Sequence, residues 1–120
     1  MIVVDSSAVL AYLQGEARAD LVRTALLDGA AISAANWSEV AQKVRRADAW
    51  EVARALLLTY PLQIVSVTVD DAEAAAALWM PGTALSLADR LCLALGARLQ
   101  LSVLSADRAW FDRDDVIPVR

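Results

Sequence analysis

The sequence predicts an α/β domain of three layers (α/β/α), in which helices cover both faces of a mainly parallel five-stranded sheet. Short apolar runs alternate along the chain with longer stretches of helical periodicity. Such alternation produces parallel strands joined by right-handed crossovers. Hydrophobic residues make up 58% of the chain, which suits strands buried on both faces. No linker, repeat or low-complexity tail interrupts the pattern, so residues 1–120 are expected to form one domain.

The predicted strands are short apolar runs bounded by turn or capping residues. Pro118 has no amide hydrogen, so the last of these runs is expected at an edge of the sheet. The five predicted strands are Ile2–Val4, Ala30–Ser33, Ile64–Val67, Leu101–Leu104 and Val116–Val119.

The predicted helices lie between these strands and begin at recognisable capping residues. Asn36 and Ser86 each stand three residues before an acid, which is typical of a capping box. The helices are expected to begin at Ser6 or Ser7, after Glu16, at Asn36, after a cap at Asp48, at Asp70, at Ser86 and, as a short last helix, at Asp107.

Histidine is absent from the chain. Its absence excludes histidine-based acid–base catalysis, nucleophiles activated by histidine and the common zinc sites. Lys43 is the only lysine, and no glycine stands beside it, which argues against a phosphate-binding loop. Chemistry therefore rests mainly on Asp, Glu, Ser and Arg.

The single cysteine and the lengths of the apolar runs predict the cellular location of the protein and whether it associates with a membrane. Cys92 has no partner for an intrachain disulfide, so a cytoplasmic location is expected. The most apolar stretch, residues 74–88, is broken by Pro81 and Gly82, whereas a membrane span needs ~20 uninterrupted apolar residues. We therefore expect no membrane association.

Four acids occupy one kind of position in the predicted fold. Asp5 ends the first strand, Glu39 and Asp89 lie in the first turns of later helices, and Asp107 follows the fourth strand. The carboxyl ends of parallel strands and the starts of the following helices share one edge of the sheet, where ligands bind. The four carboxylates are therefore expected to converge. Without them the formal net charge of −4 would be zero, so the acidity does not exclude a nucleic-acid substrate.

Each of these acids also has a structural interpretation. Glu39 and Asp89 fit capping boxes that begin at Asn36 and Ser86. Asp5 and Asp107 can cap helices by themselves. Taken singly, capping is the commoner role for each of them.

Convergence favours a metal site, because repulsion among four carboxylates must be relieved by protonation or by a cation. Oxygen ligands without His or Cys select Mg²⁺ or Mn²⁺ over zinc. The chemistry that suits such a site is phosphoryl transfer, in which the ion activates a water and stabilises the leaving oxygen.

Four further residues are secondary candidates. Ser6 can position water or phosphate, or can cap a helix. Arg90 and Arg108 follow site acids and can hold RNA phosphates, although solvated or salt-bridged side chains are the alternative. Asp112 belongs to an acidic run that is either solvated surface or an extension of the site.

Four segments, read together, resemble the PIN-domain ribonucleases, and among them the VapC-type toxins of toxin–antitoxin pairs. They span nearly the whole chain, and their order and spacing carry the resemblance. The segments are Met1–Ala8 (MIVVDSSA), Asn36–Val40 (NWSEV), Leu85–Gly96 (LSLADRLCLALG) and Val103–Trp110 (VLSADRAW).

The resemblance implies a flavodoxin-like parallel sheet, a Mg²⁺- or Mn²⁺-dependent endoribonuclease, a homodimer and inhibition by a cognate antitoxin. It assigns Asp5, Glu39, Asp89 and Asp107 to the acidic site. Asp5, Asp89 and Asp107 are expected to hold the metal, with Asp107 the most variable position in the family. A Mg²⁺-activated water held by these carboxylates would cleave RNA to leave a 5′-phosphate and a 3′-hydroxyl.

Two other functions compete with this one. A phosphoacceptor signalling domain would need paired acids after the first strand and a lysine late in the chain, whereas Asp5 stands alone and Lys43 lies early. A catalytically silent α/β protein-interaction module, in which the acids are caps and the apolar excess is interface, stays open.

Overall fold

The computed structural model describes residues 1–120 and contains one five-stranded sheet. All neighbouring strands pair in parallel, in the order β3-β2-β1-β4-β5. The strands are β1 (Ile2–Val4), β2 (Ala30–Ser33), β3 (Leu62–Val65), β4 (Val103–Ser105) and β5 (Val116–Pro118). The predicted fold class is therefore confirmed, and Pro118 lies on the edge strand as expected.

Six α-helices connect the strands. The helices are α1 (Ser6–Leu13), α2 (Ala19–Asp28), α3 (Ala34–Arg46), α4 (Trp50–Leu57), α5 (Val69–Ala77) and α6 (Leu87–Leu99). A short 3₁₀ turn, Arg108–Trp110, follows β4. None of these helices combines the length and the apolar character that a membrane span needs.

The three central strands β1, β2 and β4 are buried on both faces of the sheet, and their successive side chains point to opposite faces. Val4 and Leu104 belong to a core cluster with buried residues of α1 to α4. Their neighbours Val3 and Val103 belong to the opposite cluster, with α6 and Trp110. The central strands therefore need apolar residues at every position, which accounts for the continuous apolar runs.

The strand order reverses beside β1. The chain passes from β1 outward to β2 and β3, and then returns across the sheet to β4 on the other side of β1. At such a reversal the connections leave in opposite directions and open a crevice at the carboxyl ends of the strands. Asp5 follows β1 directly, and Ser105 ends β4. These two residues therefore stand at the carboxyl edge of the sheet, where the strand order reverses.

The bounds of three strands differ from the sequence prediction, and the smallest difference is in β5, which ends at Pro118 and not at Val119. β3 ends at Val65, because its partner β2 ends at Ser33 and leaves Ser66 and Val67 without a strand to pair with. β4 begins at Val103, because α6 continues beyond Gly96 to Leu99.

Several predicted helix starts were also wrong. α1 is capped by Asp5, not by Ser6 or Ser7, and α3 is capped by Ser33, three residues before Asn36. The side chain of Asp48 does not cap α4, which has no side-chain cap. α5 is capped by Thr68, two residues before Asp70, in a capping box with Asp71. For α1, α3 and α5 the sequence offers more than one polar residue near the helix start, and backbone geometry decides which of them becomes the cap.

Gly96 allows α6 to approach β4 closely. A Cβ at this position would lie 2.9 Å from Cγ2 of Val103 and 3.0 Å from the carbonyl oxygen of Leu101. Both neighbours are held in place, one as a buried β-branched side chain and the other as backbone.

We expect Gly96→Ala to lower the free energy of unfolding by about 1–2 kcal/mol, because overpacking outweighs the gain in helix propensity. Urea unfolding measures the change. Ala97→Gly, at the next and exposed position of α6, is the control for helix propensity alone. A more stable Gly96→Ala protein would show that α6 can shift to accept the methyl group.

Candidate active site

Asp5 is a buried carboxylate at the carboxyl end of β1, with a fractional exposure of 3%. Its Oδ1 accepts a hydrogen bond from the amide of Ala8 at 2.8 Å, which caps α1. Ser7 donates its hydroxyl to the same carboxylate, at 2.8 Å from Oδ1 and 2.9 Å from Oδ2. Ser105, at the end of β4, donates to Oδ2 at 2.6 Å. Asp5 is thus held by donors from α1 and from the end of β4.

Burial raises the pKa of Asp5 from 3.8 to about 6, since the charged form loses its water. Hydrogen bonds from Ser105, Ala8 and Ser7 oppose this increase, and the negative charge of Asp89 adds to it. The net effect is a carboxylate that is costly to ionise in the absence of a cation.

Glu39 lies in the second turn of α3 and has no capping role. Its Oε1 accepts hydrogen bonds from the Ser6 hydroxyl at 2.9 Å and from Nδ2 of Asn36 at 3.0 Å. No protein group donates to its Oε2. The prediction that Asn36 caps α3 in a box with Glu39 was therefore wrong, and with it the structural explanation for Glu39 disappears.

Asp89 lies in the first turn of α6 and forms the predicted capping box with Ser86. The Asp89 amide donates to Oγ of Ser86 at 3.1 Å, and the Ser86 amide donates to Oδ2 of Asp89 at 2.9 Å. Partial burial raises the pKa of Asp89, and the charges of Glu39 and Asp107 add to the increase. Its Oδ1 accepts no hydrogen bond from the protein, so capping uses only half of this carboxylate.

Asp107 is an exposed residue that caps the 3₁₀ turn after β4. Its Oδ1 accepts from the amide of Ala109 at 3.0 Å, and its own amide donates to Oγ of Ser105 at 3.0 Å. Through Ser105 it is connected to Asp5. Its Oδ2 has no donor within the protein.

The four acids form one electrostatic cluster. Asp89 acts on Asp5, while Glu39 and Asp107 act on Asp89. The acids do not form a complete set of metal ligands, because no three acidic side chains lie close enough together to hold one ion by themselves. The structure thus places the four acids within electrostatic reach of one another, without a closed set of metal ligands.

The donor set fits a hydrated Mg²⁺ or Mn²⁺ ion. Every candidate ligand is a carboxylate oxygen, which is the ligand that these ions prefer. Three oxygens are free of hydrogen bonds from the protein: Oε2 of Glu39, Oδ1 of Asp89 and Oδ2 of Asp107. Mg²⁺ commonly keeps several of its waters and binds proteins through one or two carboxylates, so a loose arrangement of acids suits it.

The secondary candidates lie in different surroundings. Ser6 contacts Glu39 and so belongs to the site. Arg90 donates from Nη1 to the carbonyl oxygen of Ala75 at 3.0 Å, in the last turns of α5, which gives it a structural role. Arg108 and Asp112 are exposed and form no ion pair.

Sequence reasoning does not identify three polar residues that contribute to the site. Ser7 and Asn36 are predicted only as helix caps, and Ser105 falls outside the predicted fourth strand. The available signal is the position of Ser7 and Ser105 close to the carboxyl ends of β1 and β4, where a polar residue follows a fully buried run.

The fold and the site together define an α/β protein with an acidic site at the point where strand order reverses in a parallel sheet. The PIN domain family model matches residues 2–116. The chain therefore belongs to the PIN domain family. No protein with a curated description matches it.

Similar solved structures include a toxin–antitoxin complex, a toxin and FitAcB. A toxin–antitoxin complex from Klebsiella pneumoniae has a TM-score of 0.84 and 21% identity, over 100% of this chain and 98% of that one. VapC20 of Mycobacterium tuberculosis, described as a toxin that cleaves the sarcin-ricin loop, has a TM-score of 0.71 and 21% identity, over 96% and 92%. FitAcB of Neisseria gonorrhoeae has a TM-score of 0.69 and 17% identity, over 100% and 97%. At these identities the likeness concerns the fold.

Proposed function

We propose that this chain, as a single nuclease domain over residues 1–120, is a Mg²⁺- or Mn²⁺-dependent endoribonuclease and the toxin of a toxin–antitoxin pair. The observation that carries the proposal is the electrostatic cluster of Asp5, Glu39, Asp89 and Asp107 at the strand-order reversal of a PIN domain. Stability does not call for such a cluster, because its members repel one another and Asp5 is buried at a cost. Functional sites are where such cost is usually found.

The similar structures support the substrate class and the biological context. VapC20 is described as cleaving an RNA element, and the Klebsiella structure is described as a toxin with its antitoxin. We extend these properties to this chain because the acidic site stands at the same kind of sheet edge that the family fold provides.

In the proposed hydrolysis, each residue of the site has a different role. Asp5 is the fixed ligand, because hydrogen bonds from α1 and from β4 leave it one orientation. Asp89 offers Oδ1, and Asp107 offers Oδ2. Glu39 presents Oε2 for orienting the attacking water or accepting its proton, while Ser6 and Asn36 hold its other oxygen.

A divalent cation bound by these carboxylates would neutralise charge at the scissile phosphate and lower the pKa of a water. Asp5 and Asp89 remain ionised in its presence, because an adjacent positive charge favours the charged form of a carboxyl group. The proposed products carry a 5′-phosphate and a 3′-hydroxyl.

The surface supports a protein partner. An apolar groove of about 340 Å³ runs between α1, α3 and α4, with Lys43 and Gln14 among its lining residues. Val52, which also lines it, is 77% exposed. A groove of this character suits an apolar segment of an antitoxin. We further propose a cytoplasmic homodimer, whose interface would cover other exposed apolar side chains such as Trp79 and Met80.

Metal removal tests the proposed chemistry. We expect purified protein, free of antitoxin, to cleave RNA in Mn²⁺ or Mg²⁺, and EDTA in excess to reduce cleavage to background. Readdition of Mn²⁺ should restore the rate, and end-labelled substrates would identify the product termini. Cleavage that persists in EDTA contradicts the metal mechanism.

A broad panel of structured and unstructured RNAs is needed because the site does not specify a sequence. If the protein binds Mn²⁺ and cleaves none of them, the alternative of a catalytically silent interaction module gains support. A neighbouring gene for a small DNA-binding antitoxin would favour the toxin.

A further inference from the structure

Asn36 is a fully buried polar residue, with a fractional exposure of 0%. It lies in the first turn of α3, where Ser33 already provides the cap. Neither capping nor exposure to water therefore explains an amide at this position.

The Asn36 amide connects two helices that carry site acids. Its Nδ2 donates to Oε1 of Glu39 at 3.0 Å and lies 3.4 Å from the carbonyl oxygen of Ala88, one residue before Asp89. The Glu39 side chain is thus tied to the backbone that positions Asp89. The orientation of the amide follows from these contacts, because a flipped amide would place Oδ1 against two acceptors.

The other half of the amide has no partner. Oδ1 of Asn36 is buried and accepts no hydrogen bond. A buried acceptor without a donor lowers stability, and an apolar side chain of similar size would avoid that cost. An unsatisfied group in a native protein calls for an explanation, of which a functional role is one. Here the hydrogen bonds of Nδ2 to Glu39 and to the Ala88 carbonyl indicate that role.

We propose that Asn36 is a positioning residue, which holds Oε1 of Glu39 and sets the placement of Glu39 relative to Asp89 for binding a divalent cation. The inference rests on the proposed metal-dependent function and deepens it. Asn36 itself does not touch the cation. It acts by restricting Glu39 to the conformation in which Oε2 is free for the site.

Asn36→Leu is the test, because leucine fills a similar volume without hydrogen bonding. Mn²⁺ affinity, measured by the electron paramagnetic resonance of free Mn²⁺, is expected to fall by about 10–100-fold, as for other partners of metal-binding groups. The Mn²⁺ concentration needed for half-maximal RNA cleavage should rise in parallel. The thermal midpoint of the metal-free protein should change by less than about 5 °C, or rise.

Val40→Ala is the matched control. Val40 is fully buried on α3, one turn beyond Asn36, and its truncation is expected to lower the thermal midpoint without changing Mn²⁺ affinity. An Asn36→Leu protein that binds Mn²⁺ like the wild type, or a Val40→Ala protein that loses as much affinity, would overturn the proposal.

The two proposals fail differently. If the wild type binds Mn²⁺ and cleaves no RNA, the nuclease proposal fails, and the Mn²⁺ affinities of the two variants still decide the role of Asn36. If the wild type shows no saturable Mn²⁺ binding, the positioning role is overturned as well.

Discussion

Replacing Asp5 by asparagine is expected to reduce RNA cleavage by about 10³-fold or more, the cost of losing one preorganised charged group at a reacting centre. Asparagine is also a good N-cap, so the bond from the Ala8 amide to Oδ1 can persist. The hydroxyl of Ser105 can rotate to accept from the new amide in place of donating to Oδ2. The substitution therefore removes charge and metal affinity while preserving the fold.

Asp70→Asn is a matched control for this experiment. It makes the same change of charge on an exposed residue in the first turn of α5. The adjacent Asp71 pairs with Arg98 near the carboxyl end of α6, the end opposite Asp89. The rate constant for cleavage of a fixed RNA in Mn²⁺ should be unaffected by Asp70→Asn. If the Asp5→Asn protein kept more than a tenth of the wild-type rate, the result would contradict a role for Asp5 in the reaction.

The second large effect concerns stability against pH in the metal-free protein. Folding raises the pKa of Asp5 from 3.8 to about 6, so the folded state holds its proton more tightly than the unfolded state. This contribution to stability is fully present below pH 3.8 and is lost as pH rises through 6. At pH 7.5 the loss amounts to about 3 kcal/mol, because a tenfold difference in proton affinity between the folded and unfolded states corresponds to about 1.36 kcal/mol.

Asparagine does not titrate, so the stability of the Asp5→Asn protein should lack this dependence on pH. We expect the metal-free variant to be the more stable protein at pH 7.5, by up to about 3 kcal/mol, and the difference to disappear near pH 4. The pKa values of Asp71 and Asp115 are lowered by folding, so these two residues make stability rise with pH. They do so equally in both proteins, and their effect cancels when the two proteins are compared.

Urea unfolding at a series of pH values from 4 to 7.5 measures this difference. Saturating Mn²⁺ should reverse the order at pH 7.5, because only the wild type gains the full binding energy of the ion. If the free energy of unfolding changed with pH in the same way for both proteins in EDTA, the result would contradict a destabilising role for the buried Asp5 carboxylate.

Capping and metal binding are alternatives for the acids in the sequence, and the structure shows that capping leaves part of a carboxylate free. Asp5, Asp89 and Asp107 each use an oxygen to cap a helix or turn. Asp89 and Asp107 keep a second oxygen free. A carboxylate has two oxygens and several lone pairs, so a capping motif in the sequence does not count against a role in a site.

Glu39 shows the limit of such motifs. The spacing of Asn36 and Glu39 matches a capping box, yet α3 begins earlier, after a cap formed by Ser33. The helix start depends on where β2 ends, and β2 ends where its pairing with β3 and the packing of α3 allow. Local spacing could not reveal this, because the deciding contacts are distant in sequence.

The sequence by itself determined the layered α/β architecture and the run of parallel strands, and it singled out the four acids as candidates. The architecture follows from local periodicity, and the candidates follow from their positions after strands and from a composition without histidine. Only the tertiary structure decided how the acids are held. Ser105 lies 100 residues from Asp5 and Ser6 lies 33 residues from Glu39. Such contacts exist only after the crossovers bring the carboxyl ends of β1 and β4 and the start of α3 together, and they set the orientation of Asp5 and Glu39.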